Sequence, residues 1–294
     1  MISKNKIKYI RSLELKKNRN KEGKFVAEGF KVVDDLLALQ PADLIVATQE
    51  WLHGKHLAAQ TEVIEVTEEE LKKVSFLQHP QQVLAVFRQD TSCNKQDSNN
   101  SQEEAEDKNF GFSKINTQEL SLALDGVQDP GNLGTIIRVA DWFGVGAIWC
   151  SPDTADCWNP KVVQATMGSI ARVAIHYAPL VPLIDALDKD CPVYTTQLDG
   201  KNIYETTLKP HGVIVMGNEG NGVTEEVRRR ATRPLLIPNF PQGRTTAESL
   251  NVAIATALVL GEFRRRIFSD RNVLGRNVPR QNCSRTGLFQ DRNV

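Results

Sequence analysis

The sequence predicts an α/β protein of two domains, a small α/β domain over residues 1–88 and a larger α/β domain with a mostly parallel sheet over residues 114–268. Three observations predict it. Short extended segments alternate with helical ones along both stretches, the pattern of sheets covered by helices. Extended segments of the second stretch, GVIVMG at 212–217 above all, are apolar throughout, as strands of a parallel sheet buried on both faces must be. Between the stretches, residues 89–113 hold six acidic and two basic residues and few bulky apolar ones. Burial there cannot offset the entropy of ordering, so the segment reads as a disordered acidic linker.

In the first domain, KFVAEG (24–29) reads as extended and FKVVDDLLAL (30–39) as a helix with Val32, Val33, Leu36 and Leu37 on one stripe. ADLIVAT (42–48) and TEVIEVT (61–67) are extended, EEELKKVS (68–75) helical and QQVLAVFR (81–88) extended. The second domain opens with LALDGVQDPGNLGTIIRVADWFGVGAIWC (122–150), a strand, a tight loop, an amphipathic helix and a strand. In NPKVVQATMGSIARV (159–173), Asn159 is placed to cap a helix that starts at Pro160. Val162, Val163, Thr166, Met167 and Ile170 follow at helical spacing. Extended VAIHYA, CPVYTTQL, GVIVMG and PLLIPNF follow, then an apolar helix from about Glu248 to Arg264. Residues 269–294 are rich in Arg and Asn and read as a disordered basic tail.

The formal net charge is zero, but residues 4–35 hold ten Lys/Arg against five Asp/Glu, and residues 264–294 eight against two. Basic ends around a neutral middle suit a polyanionic partner, since phosphate attraction follows local surface charge. No apolar run reaches the roughly 20 residues of a membrane span, and the first residues lack an apolar signal core; a cytoplasmic protein is expected. Five scattered cysteines without a CxxC pair point to neither disulfides nor a metal.

Three unusual loops each follow a predicted strand, where ligands collect in parallel sheets. The first, DGVQDPGNLGTIIR, carries Asn132 in the turn and Arg138 one to two turns into the helix, where hydrogen bonds from Asn132 or its neighbours would fix it. The donor fork of an arginine suits phosphate. In the second, GNEGNG (217–222), glycines let backbone approach a ligand. No Lys-Ser/Thr pair follows it, which argues against a P-loop, and Glu219 suits a hydroxyl, amine or cation. The third ends in Ser249, Leu250 and Asn251, expected in the first turn of the apolar helix, where free backbone N–H groups also lie. A Rossmann enzyme is disfavoured because no GxGxxG follows a predicted strand.

NLGTIIR (132–138), Glu219 in GNEGNG, and IP (237–238) with SLN (249–251) occur in one order, and together they resemble the SpoU/TrmH branch of the SPOUT superfamily. These are S-adenosylmethionine-dependent RNA ribose 2′-O-methyltransferases. FVAEGFKVV (25–33) resembles the ribosomal-protein-like domain that binds substrate in this family. The resemblance implies a C-terminal deep trefoil knot, a homodimer joined through the C-terminal domain, and an active site that takes Arg138 from one subunit or lies near the interface. It assigns cofactor contacts to Met216, Gly217, Gly220, Ile237, Ser249, Leu250 and Asn251, with Thr166 and Met167 near the adenosine. The catalytic set it implies is Asn132, Arg138, Glu219, Ser249 and Asn251, with Asn132 and Glu219 orienting Arg138 and the ribose. Ala253 stands where many members carry serine, which bears on substrate identity. The expected substrate is structured RNA, large-subunit ribosomal RNA before transfer RNA, clamped by two domains on a flexible linker. A nonenzymatic RNA-binding or ribosome-assembly protein on the same scaffold is the alternative.

Overall fold

The computed structural model describes residues 2–89, 115–241, 247 and 249–273. Of the expected linker, residues 90–113 lie outside the described residues, as do residues 274–294 of the expected tail.

The first domain runs α1 (Lys4–Ser12), α2 (Lys16–Glu22), β1 (Lys24–Glu28), α3 (Phe30–Leu37), β2 (Leu44–Ala47), α4 (Gln49–Leu52), β3 (Glu62–Glu65), α5 (Glu68–Val74) and β4 (Val83–Arg88). Local chemistry sets several of these ends. Ser3 caps α1, and Gly23, with φ of 61°, closes α2 in the left-handed conformation that favours glycine. Thr67 and Glu70 form a reciprocal capping box on α5. The four-stranded sheet has the order β1-β4-β2-β3, antiparallel except for the β2/β3 pair.

The second domain runs β5 (Leu120–Asp125), α6 (Pro130–Trp142), β6 (Ala147–Cys150), α7 (Pro160–Ala165), β7 (Ala174–Tyr177), α8 (Leu180–Asp185), β8 (Val193–Asn202), β9 (Gly212–Gly217), α9 (Glu225–Arg228), β10 (Arg233–Leu236) and α10 (Val252–Val273). Its six strands are parallel throughout, in the order β10-β8-β9-β5-β6-β7. Every residue of β5 and of β9 is buried, so their apolar runs have no solvent face. The chain lays strands outward from β5 to β7, then crosses to β8 and returns to fill the gap with β9. The order therefore reverses between β5 and β9.

Two helices differ from expectation. Asn159 caps α7 and Pro160 opens it as predicted, but α7 ends at Ala165. Met167 then takes φ of 52°, and the chain resumes as a 3-10 turn at Ser169–Ala171. Next to it, Gly168 has φ of 93°, and a Cβ there would come within 2.2 Å of Asp35 Oδ2 in the first domain. At Gly168 the chain thus meets the other domain, a contact that helical spacing cannot register. At the other end of the chain, α10 starts later than expected and continues through residues 269–273, the first five of the expected tail.

The domains pack directly against each other. Phe25 and Trp158 meet ring to ring at 4.3 Å, and one apolar core includes Phe25, Phe87, Trp158, Val162 and Ile137. Arg19, only 1% exposed, pairs with Asp156 of the second domain and donates to the carbonyls of Leu13 and Glu14. Arg172 bridges Asp35 and Asp141 across the same junction. The expected linker was to let two domains clamp RNA; apart from any linker, a shared core joins the two domains directly.

Candidate functional site

The loops after β5, β9 and β10 all emerge at the carboxyl edge of the sheet, and β5 and β9 are neighbours in register, Asp125 opposite Gly217. This is the switch point at which open parallel sheets bind ligands. Asp129 caps α6 by accepting from the Asn132 backbone N–H at 2.7 Å, with Pro130 in the first turn, so Asn132 is fixed at the helix start.

The GNEGNG loop is shaped by Asn218. Its Oδ1 accepts from the N–H groups of Gly220 and Asn221 at 2.8 and 3.1 Å, and its Nδ2 donates to the Gly126 carbonyl at 2.7 Å. Gly217 permits the fold-back, because a Cβ there would lie 2.2 Å from the Gly222 carbonyl carbon. Buried Asp125 accepts from the Thr224 N–H at 2.7 Å and ties the end of the loop to β5.

Side chains of all three loops meet. Asn132 Nδ2 donates to Glu219 Oε1 at 2.9 Å, and Asn251 Nδ2 donates to Asn132 Oδ1 at 2.9 Å. Asn251 is the cap of α10 and not a first-turn residue: its Oδ1 accepts from the N–H groups of Ala253 and Ile254 at 3.0 and 3.3 Å. Its side chain thus completes the helix end with one atom and holds Asn132 with the other. Ser249 and Leu250 precede the helix, both exposed.

Beside this chain of amides lies a cleft of about 670 Å³, within the range of roughly 300–1,000 Å³ usual for small-molecule sites. Met216, Gly217, Glu219, Gly220, Ile237, Ser249 and Leu250 line it, so the structure brings these expected residues to one place. Thr166 and Met167 are not brought there. Thr166 is fully buried with its hydroxyl on the Val163 carbonyl, and Met167, partly exposed, is not among the residues that line the cleft.

Arg138 is exposed on α6 and is not hydrogen-bonded to Asn132, which is occupied by Glu219 and Asn251. It shares its helix face with exposed Thr135 and Trp142, at i, i+3 and i+7 spacing. The expected orientation of Arg138 by Asn132 and Glu219 is therefore absent within the single chain.

The cleft also has a wall that the sequence reading did not single out. Thr196, Gln197, Leu198 and Asp199 of β8 and Arg228 of α9 line it. TTQLD lies in a predicted strand and its continuation, so the rule that located the three loops applied there too. Arg228 is one of three consecutive arginines, and nothing in the string marks it out. Among the described residues no group of His, Cys, Asp and Glu is arranged to hold a metal ion, and no helix is long and apolar enough to cross a membrane.

The two-domain α/β architecture with its parallel sheet and switch-point cleft is consistent with the SPOUT class of α/β methyltransferases. The model of the SpoU rRNA Methylase family matches residues 119–261, and that of the MRM3-like substrate binding domain matches residues 4–85. The 23S rRNA (guanosine(2553)-2′-O)-methyltransferase RlmP of Bacillus subtilis (strain 168) is 30% identical over 263 residues, 88% of this chain and 96% of that protein. Among solved structures, a TrmH-family protein from Porphyromonas gingivalis is 37% identical with a TM-score of 0.75, covering 90% of this chain and 99% of that one. An AdoMet-bound rRNA methyltransferase from Sinorhizobium meliloti is 32% identical with a TM-score of 0.75, covering 91% and 97%. The chain belongs to the SpoU rRNA methylase family, as an RNA ribose 2′-O-methyltransferase. Family membership implies the trefoil knot of the C-terminal segment.

Proposed function

We propose that this protein uses S-adenosylmethionine to methylate a ribose 2′-hydroxyl of large-subunit ribosomal RNA, as a cytoplasmic homodimer. Residues 1–88 grip the RNA and residues 114–268 carry the chemistry. The observation behind the reading is the hydrogen-bonded chain Asn251–Asn132–Glu219, which closes three loops around one cleft. Ribosomal RNA is favoured because the Bacillus subtilis relative is a 23S rRNA enzyme over nearly the whole length. The match of residues 4–85 to a substrate-binding domain supports the division of labour.

The cleft suits the cofactor. The close return of the loop at Gly217 leaves backbone along one side, while Met216, Leu236, Ile237, Val252 and Ala255 give an apolar lining for a purine. When bound, S-adenosylmethionine supplies an electrophilic methyl group. Glu219, held by Asn132, is placed to accept a hydrogen bond from the ribose, Ser249 lines the pocket, and Asn251 holds Asn132 in place. Much of the rate then comes from holding the hydroxyl in line with the methyl.

Arg138 serves the partner's site in this reading. Helix α6 packs against α10, where Ile254 and Leu258 are 54% and 42% exposed, and Trp142, one turn on from Arg138, is 85% exposed. Covering that apolar surface with a second copy carries Arg138 across the interface. A guanidinium holds its protons too tightly to act as a base, so Arg138 clamps the phosphate next to the target ribose and stabilises charge developing on the oxygen. The proton passes to that phosphate or to solvent.

Arg138→Ala is expected to cut methyl transfer by about 10²–10³-fold, the usual cost of losing such a donor, while cofactor affinity stays within about twofold because the side chain lies outside the cleft. Single-turnover transfer and calorimetry on one preparation read both. Loss of affinity with normal turnover of the bound enzyme would refute the role.

A further inference from the structure

The wall of the cleft formed by β8 and α9 carries a charged pair that lies outside the three motifs quoted above. Arg228 Nη2 donates to both carboxylate oxygens of Asp199, at 3.1 and 3.0 Å, and its Nε donates to Gln197 Oε1 at 3.2 Å. Arg228 is the one cation among the described residues that line the cleft. Its Nη1 makes no hydrogen bond to the described residues, so part of the guanidinium fork is available to a ligand. The pair is accessible, with 38% of the Arg228 side chain and 68% of that of Asp199 exposed.

We propose that Arg228 and Asp199 form the subsite for the amino-acid end of S-adenosylmethionine, Arg228 receiving the carboxylate and Asp199 the ammonium. The inference rests on the cofactor reading above and assigns one end of the ligand. That end is a zwitterion, and its carboxylate is the cofactor's only anionic group. A planar guanidinium matches a carboxylate with paired N–H donors. A ribose diol or a purine edge would not require the cation. The rest of the lining divides accordingly. Met216, Leu236 and Ile237 suit the base, and Glu219 is committed to Asn132 on the other side.

Exchange at this pair costs little, because an exposed ion pair is weak in water. The ligand's two charges replace one Arg–Asp contact with two, while Gln197 continues to orient the guanidinium.

Calorimetry on the full chain tests the assignment with two ligands. S-adenosylhomocysteine carries the amino-acid end, and 5′-methylthioadenosine lacks it. Arg228→Met, which keeps the apolar stem, is expected to weaken S-adenosylhomocysteine about tenfold or more, the usual effect of one lost charge-assisted bond. Binding of 5′-methylthioadenosine should stay within about twofold, since that ligand offers the pair no charge. Asp199→Asn should act in the same direction, and unchanged circular dichroism melting establishes that each variant is folded. Equal weakening of both ligands, or of neither, overturns the subsite alone. If the unaltered chain binds no S-adenosylhomocysteine, the cofactor reading falls and takes the subsite with it.

Discussion

Asn132 is a donor to one loop and an acceptor from another, and neither bond has a substitute close by. Asn132→Ala leaves Glu219 without its donor and Asn251 Nδ2 without its acceptor. The variant should fold, because the α6 cap is made through the backbone N–H of residue 132. Methyl transfer is expected to fall by about 10²-fold, in line with the loss of a group that orients substrate. A steady-state assay on ribosomal RNA fragments should place the loss in kcat more than in KM. Activity within a few-fold of the parent would show that the amide chain is scaffolding alone. Asn132, Glu219 and Asn251 were each legible in the sequence through their positions after strands, but the partnership expected for Asn132 was with Arg138. At about 100° per residue, six positions along a helix separate the two side chains by roughly 240°, which puts them on different faces. The bond to Asn251 spans 119 positions in the chain, and no local rule reaches that far.

Among the elements, α10 combines a buried face of Val252, Val259, Leu260 and Phe263 with an exposed apolar edge at Ile254 and Leu258. The sequence shows the apolar run, but only packing separates the edge that covers its own domain from the edge left over. Arg266 explains why the helix outlasts its expected end near Arg264. It donates to the carbonyls of Ile203, Tyr204 and Thr206 and pairs with Glu262, anchoring the next turn to the β8 side of the domain. If the exposed edge is the dimer contact, Ile254→Asp with Leu258→Asp should halve the mass seen by light scattering at micromolar protein. Transfer should fall to the level of Arg138→Ala, while S-adenosylhomocysteine still binds. A monomeric double variant with full activity would remove the shared site, and a double variant that keeps the mass of the parent would remove the interface.

At the scale of the whole molecule, both sheets and the order of their strands' appearance were legible from alternation, and the domain junction was not. The residues that make it, Arg19, Phe25, Asp156 and Trp158, lie in unremarkable local patterns, and an acidic linker suggested independence. Burial of Arg19 makes the pair with Asp156 a sensitive point, since removing one partner of a buried ion pair costs about 3–5 kcal/mol. Asp156→Ala should therefore lower the melting temperature clearly and split one calorimetric unfolding transition into two. A variant that melts like the parent would mean that Arg19 is satisfied by the Leu13 and Glu14 carbonyls alone.

The filling of the gap between β8 and β5 by β9 also bears on how the chain is made. β5 ends at Asp125 and β9 at Gly217, and at roughly 5–20 residues per second of synthesis about 5–20 s separate their emergence from the ribosome. Throughout that interval the β9-facing edge of β5 has unpaired backbone groups and an apolar strand beside them, the features that recruit chaperones or a wrong strand. The strand order that creates the binding crevice thus also sets the period in which the nascent protein is most open to misassembly.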